Sequence, residues 1–216
     1  MFWHALISIA AAKAGKDIWC EKPMSRTIAE GEAVKAAIAK HKRIFRLNTC
    51  QHYLDPVQYI LGKDDESPVL IEADTGPQDP DAVLPWRRIS LKYADGCEII
   101  LDGENKETTA AFIAGPKGKP SKNFESDIPD LANKARELPD PEPQLTDFVQ
   151  AVRTRQKFAL NEINGHRSCT LINLAKIAVE TGHPLRFNST TQRFIDDTRA
   201  NAYVQQPMRS PWKIEI

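Results

Sequence analysis

The first 48 residues alternate helix, strand, helix, strand, which is the rhythm of a parallel α/β sheet. Residues 4–14 are Ala-rich and made of good helix formers, and Gly15 is the residue type that ends a helix. Residues 17–20 read as a short buried strand. After Pro23, the run Thr27-Ile28-Ala29-Glu30 matches a capping box and predicts a helix to about His41, with Ala33, Ala37 and Ile38 on one face. Residues 44–47 give a second strand. A third helix is expected over residues 52–61, where Leu54, Val57, Gln58 and Leu61 recur at helical spacing and Gly62 stops the pattern.

Past Gly62 the character changes. Residues 69–73 are a strand candidate, and residues 77–85 are a Pro/Asp-rich loop. Ile89, Leu91 and Tyr93 alternate with polar positions, as do Cys97, Ile99 and Leu101, and Asp95-Gly96 between them predicts a hairpin. Residues 108–114 suggest a further strand, so the middle reads as an antiparallel sheet. Residues 138–143 form a stiff Pro-rich linker. Helices are expected over residues 145–154, with Phe148, Val149 and Val152 inward, and over 165–181, with Leu171, Leu174, Ala175 and Ala178 as the stripe. The remainder to Ile216 is expected to wrap the surface. The fold class is therefore α/β plus α+β, with a parallel part over residues 1–62 and an antiparallel sheet with helices over residues 63–216.

Composition removes several functions. Lys and Arg number 29 against 29 Asp and Glu, so no basic footprint for nucleic acid covers the chain. The longest apolar-leaning run, residues 2–14, is interrupted by His4 and Lys13, whereas a membrane span needs about 20 apolar residues. No basic residue precedes that run, as a leader would require. Cys20, Cys50, Cys97 and Cys169 form no Cys-x-x-Cys pair, so they read as reduced thiols and no metal site is expected. No Gly-x-Gly, Gly-x-Ser-x-Gly or His-Glu-x-x-His occurs.

Two features carry chemistry. Cys20-Glu21-Lys22-Pro23-Met24 directly follows a strand, and ligands of open parallel sheets sit beyond the C-terminal strand ends. The same residues also read as a surface ion pair at a turn. His52-Tyr53-Leu54-Asp55 opens the third helix, four residues after Asn48; a helix start lowers a histidine pKa, which suits a general base. A helix-capping polar cluster is the alternative reading.

These residues resemble the Gfo/Idh/MocA oxidoreductases, whose signature is Glu-Lys-Pro at the end of a Rossmann strand. The likeness runs through residues 4–30, His52-Tyr53-Leu54-Asp55-Pro56-Val57-Gln58-Tyr59, the hairpin 86–101, residues 147–155, residues 161–168 and Pro207-Met208-Arg209-Ser210-Pro211-Trp212. It implies a partial Rossmann sheet in residues 1–62 and the family's C-terminal domain in 63–216, with the glycine-rich nucleotide-binding half and a segment between Leu47 and Gln51 expected to be missing. It also implies NAD or NADP as cofactor and a carbohydrate or cyclitol as substrate. Lys22 and His52 would be catalytic, His4, Glu21, Lys22 and Pro23 would lie at the cofactor, and Asn48, Tyr53 and Asp55 at the substrate. The family's aspartate before the histidine is Asn48 here, so His52 is expected to be a weaker base. A homo-oligomer through the antiparallel sheet is implied. The location is cytoplasmic as the chain stands, and periplasmic or secreted for full-length relatives. Two functions stay open: an oxidoreductase, or a non-catalytic association module built on the antiparallel sheet.

Overall fold

The computed structural model describes residues 3–48, 54–76, 86–103, 113–121, 125–139 and 142–216, without the side chains of Leu54, Asp55 and Pro56. Helix α1 (His4–Lys13) leads into β1 (Ile18–Glu21), α2 (Ile28–His41) and β2 (Phe45–Asn48). The two strands are parallel, with Ile18 opposite Phe45 and Glu21 opposite Asn48. Strand side chains alternate between faces. One face, Ile18, Cys20, Phe45 and Leu47, is buried with Ala5, Ile9 and Ala12 of α1 and Val34, Ala37 and Ile38 of α2. The other face carries Trp19, Glu21, Arg46 and Asn48. Leu47 N–H donates to the Leu160 carbonyl at 3.0 Å, which closes the outer edge of β2. Among the described residues no strand lies beside the outer edge of β1.

The second sheet has the order β5-β4-β3-β6-β7, from β3 (Leu70–Asp74), β4 (Arg88–Lys92), β5 (Glu98–Asp102), β6 (Leu185–Asn188) and β7 (Arg193–Phe194), all antiparallel. The β4–β5 turn holds Gly96 at φ +88°, a conformation that costs glycine little. Ile89, Leu91, Ile99 and Leu101 point inward. The outer face is charged, with Arg88 opposite Asp102 and Lys92 opposite Glu98, and only Ile100 interrupts it as an exposed apolar residue. Any association through this sheet would therefore meet a mainly charged surface.

Helix α6 (Glu162–Thr181) joins the two halves. Leu171, Leu174, Ala175, Ile177 and Ala178 enter the core of the antiparallel sheet, while Cys169 belongs to the core of the parallel strands. Its start is capped by Asn161, which accepts from the Ile163 N–H, and Gly182 ends it at φ +72°. Helix α3 (Leu54–Ile60) lies against α6, with Ser168 donating to Gln58 at 3.2 Å. Helices α4 (Leu131–Arg136), α5 (Phe148–Thr154) and α7 (Thr198–Val204) complete the described elements.

Most expected elements are present with bounds within three residues, the loop expected over residues 77–85 lies outside the described residues, and four corrections apply. The region after Thr181 is not merely a wrapping tail, because Leu185, Phe187 and Phe194 are buried and add two strands to the sheet, and α7 packs on them. Val149 of α5 is 55% exposed and Ala151 is buried instead, while Phe148 and Val152 pack inward as expected: positions 148, 151 and 152 make one helical face and 149 lies off it. The Thr27 box is half formed. Thr27 Oγ1 accepts from Glu30 N–H at 3.2 Å, but the Glu30 carboxylate takes the Arg26 N–H at 2.9 Å and the Arg26 guanidinium at 2.6 Å. Ile113 and Ala114 are not in a strand, while residues 108–112 lie outside the described residues.

Helix α6 crosses close to α2. A Cβ on Gly31 would stand 2.4 Å from His166 Nδ1, and one on Gly165 would stand 2.9 Å from Leu47 Cδ2. His166 is 1% exposed, and its Nε2 lies 2.7 Å from Glu32 Oε1. Glu32 also accepts from Lys35 at 2.6 Å. Its carboxyl is lowered to about 2, first by the His166 hydrogen bond and further by Lys35, against the opposing effect of burial.

Two outcomes follow from this junction. Gly31→Ala overpacks a rigid ring and is expected to cost about 2 kcal/mol in urea unfolding. Because the folded Glu32 value of about 2 lies below its ordinary 4.5, the Glu32 contribution is complete above pH 4.5 and is lost as pH falls through 2. The Glu32 side chain is 36% exposed, so solvent screening reduces that contribution to about 1 kcal/mol. Glu32→Gln is expected to lower stability near pH 6 by about that amount and to flatten its acid dependence, measured by urea unfolding across the pH range.

Candidate active site at the ends of the parallel strands

The parallel register brings Glu21 and Asn48 side by side at the C-terminal ends of β1 and β2, and Asn48 Nδ2 donates to Glu21 Oε1 at 2.6 Å. The amide adds no charge of its own, and the bond holds the Glu21 carboxylate in direction. The chain then turns through Lys22 and Pro23, which are joined by a cis peptide. Below the turn, Met24 is fully buried in the core of α1, α2, β1 and β2 and anchors it. Above it, the imidazole of His4 lies with Nδ1 2.7 Å from the Pro23 carbonyl. A carbonyl only accepts, so Nδ1 carries the proton and the start of α1 is tied to the turn. Lys22 is exposed and forms no ion pair among the described residues. Burial pushes the Cys20 thiol up, and the residue belongs to the core of the parallel strands.

The structure thus gathers His4, Glu21, Pro23 and Asn48 around one turn, with Lys22 on its exposed side. His52 and Tyr53 lie outside the described residues, and the side chain of Asp55 is not described although its backbone is in α3. Sequence reading overlooked the open sheet face next to the site. There the Arg46 guanidinium lies 3.5 Å from the Trp19 ring centroid and 5.1 Å from that of Phe158, with Phe148 edge-on to Trp19 at 5.6 Å. The period-2 alternation of Trp19-x-Glu21 and Arg46-x-Asn48 was the available signal.

A dinucleotide needs partners for its ribose and nicotinamide and a seat for its pyrophosphate, which sheets of this kind supply from a glycine-rich turn and free helix-start N–H groups. Glu21 and Lys22 have the polarity and exposure for the first part. The residues do not fit the second. At the start of α2 the Glu30 N–H is taken by Thr27 and the Arg26 N–H by Glu30 itself, and none of the ten glycines stands two residues from another. Among the described residues no cluster of three His, Cys, Asp or Glu could hold a metal, and no helix is long and apolar enough to cross a membrane.

Comparison with known proteins gives the family. Residues 2–49 match the model described as "Oxidoreductase family, NAD-binding Rossmann fold", and residues 47–214 match "Oxidoreductase family, C-terminal alpha/beta domain". No curated protein matches. Among solved structures, the WlbA dehydrogenase from Bordetella pertussis, crystallised with NADH and UDP-GlcNAcA, is similar at a TM-score of 0.59 and 12% identity, over 86% of this chain and 76% of that one. Myo-inositol 2-dehydrogenase from Lactobacillus plantarum gives 0.53 and 14%, over 86% and 78%. The aldose-aldose oxidoreductase from Caulobacter crescentus, complexed with glycerol, gives 0.52 and 16%, over 86% and 76%. At these identities the structural likeness establishes the fold, and the two model matches establish the rest: the chain belongs to the Gfo/Idh/MocA oxidoreductase family.

Proposed function

We propose that this chain is an NAD(P)-dependent oxidoreductase for a secondary alcohol or keto group of a sugar or cyclitol, with Lys22 and His52 as its catalytic pair. The observation that carries the reading is the Glu21-Lys22-Pro23 turn at the C-terminal end of a parallel strand, within a segment that matches an NAD-binding Rossmann model. The structural neighbours that act on inositol or bind a nucleotide sugar support the substrate class. Residues 1–62 would form the nucleotide side and residues 63–216 the substrate side.

In this reading a bound nicotinamide would supply the hydride acceptor or donor, with Glu21 and Lys22 placed to hold it. Lys22 donates a hydrogen bond to the reacting oxygen and stabilises the negative charge that develops there. His52 removes the hydroxyl proton. His4 holds the Pro23 carbonyl and Asn48 holds Glu21, so the turn that presents Lys22 is fastened on both sides. Tyr53 and Asp55 border the substrate. Asn48 orients its neighbours without a charge, which leaves His52 without the carboxylate partner that would raise its basicity.

A second reading is favoured by the start of α2, where Thr27 takes the Glu30 N–H and Glu30 takes the Arg26 N–H: an association module that has given up catalysis. Titration with NADH, followed by nicotinamide fluorescence, separates the two. Binding at or below about 10 μM selects the enzyme, and none up to about 1 mM selects the module.

Two further outcomes test the site. Lys22→Met is expected to lower kcat/KM for the sugar substrate by about 100-fold while changing NADH affinity much less. In Asn48→Asp, the new carboxylate stands against Glu21, so an NMR titration is expected to find one of the two carboxyls about one unit above its ordinary value. The same titration is expected to move His52 upward, and an unmoved His52 excludes the partnership between positions 48 and 52.

A further inference from the structure

The open face of the parallel strands holds a cation for which no described residue supplies a counterion. The Arg46 side chain forms no hydrogen bond and no ion pair among the described residues, and its Nε is buried with no acceptor. The acids around it are engaged elsewhere. Glu21, on the same face, accepts from Asn48 at 2.6 Å. Asp17, just before β1, is bridged by Arg155 at 2.7 Å. Glu162, just past the segment that edges β2, faces Lys157 at 3.7 Å. A guanidinium this poorly supplied with acceptors is costly unless something else satisfies its donors.

The rings around Arg46 give it a fixed attitude. Trp19 lies 3.5 Å away and Phe158 lies 5.1 Å away, centroid to guanidinium carbon. Aromatic contact of this kind compensates the charge through the flat faces of the group and leaves the in-plane N–H fork unspent. Trp19 is 55% exposed, so the face is open to a small molecule. Arg46 and Asn48 are two residues apart in one strand, about 7 Å along the face, a spacing that suits a sugar ring bearing an acid group.

We infer that Arg46 is an oxyanion-binding residue, taking the carboxylate or phosphate of a small molecule that lies along the open face of β1 and β2 toward Glu21 and Asn48. The inference rests on the proposed oxidoreductase reading for the identity of that molecule as a sugar, and adds that the sugar is acidic. Two planar N–H groups match two oxygens of either anion in a bidentate pair.

The test follows the Trp19 indole resonance, identified by its loss in Trp19→Phe, while the whole chain is titrated with D-glucuronate, glucose 6-phosphate, inorganic phosphate or D-glucose. The charged ligands are expected to shift it saturably in the millimolar range and D-glucose to leave it still. Tighter binding of glucuronate identifies a carboxylate, and tighter binding of glucose 6-phosphate a phosphate ester. Arg46→Gln is expected to abolish the shift. Arg46→Lys keeps the charge but not the fork, and is expected to weaken binding about tenfold, which keeps the test valid should Arg46→Gln fail to fold. No shift with any anion up to about 50 mM, or an unchanged affinity in Arg46→Lys, overturns the inference. NADH titration of the same sample tells the two proposals apart. NADH binding without anion binding removes the Arg46 site alone, and anion binding without NADH binding leaves that site standing.

Discussion

The close crossing of α6 over α2 is the contact on which both halves of the molecule depend. Both helices enter both large cores, α2 through Ile28 on one side and Val34, Ala37 and Ile38 on the other, and α6 reaches the parallel strands because Gly31 and Gly165 carry no side chain there. His166 fills the space that Gly31 leaves and puts a buried imidazole against Glu32. Gly165 lets Leu47 and Met24 approach the helix, and Met24 is the residue that anchors the Glu21-Lys22-Pro23 turn. The position of the candidate site is thus set from beneath, by packing about as dense as a protein interior allows.

Local signals account for much of what could be read in advance. The first two helices and strands announced themselves by capping residues and short apolar runs, and the Asp95-Gly96 hairpin by its turn chemistry and alternation. What escaped was of another kind. Leu185-x-Phe187 is a strand because β3 offers it a partner far away in sequence, and a four-residue segment carries too little pattern to reveal that partner. Val149 faces outward because Phe148, Ala151 and Val152 already make the inward face at helical spacing, and position 149 lies off it. The half-formed box at Thr27 depended on Arg26 competing for Glu30, a choice that spacing alone does not decide.

The site was legible to a similar depth. The turn Glu21-Lys22-Pro23 could be located from the strand before it, and the family resemblance gave it a chemistry that composition could not. The Glu21–Asn48 bond and the Arg46–Trp19 stack both follow from the parallel register, which pairs position 19 with 46 and 21 with 48. Register between two strands joined by a whole helix is a tertiary property. Sequence alternation tells which residues share a face, and only the pairing tells which residues on that face meet.

The stretch from Arg209 to Ile216 returns to the first helix. Trp212 meets Trp3 with ring centroids 5.1 Å apart, Ile214 packs on the α1–α2 core, and the carbonyls of Glu215 and Ile216 accept from Lys13 at 2.9 Å and Lys40 at 3.2 Å. These contacts join residues that lie almost the whole chain apart, and long-range contacts of this kind form late because the intervening loop must first be ordered. During synthesis, the side of α1 that Trp212 and Ile214 pack against would therefore stay uncovered until those residues emerge. Helix α1 is thus made well before the segment that packs on it, and the nascent chain has to stay soluble through that interval.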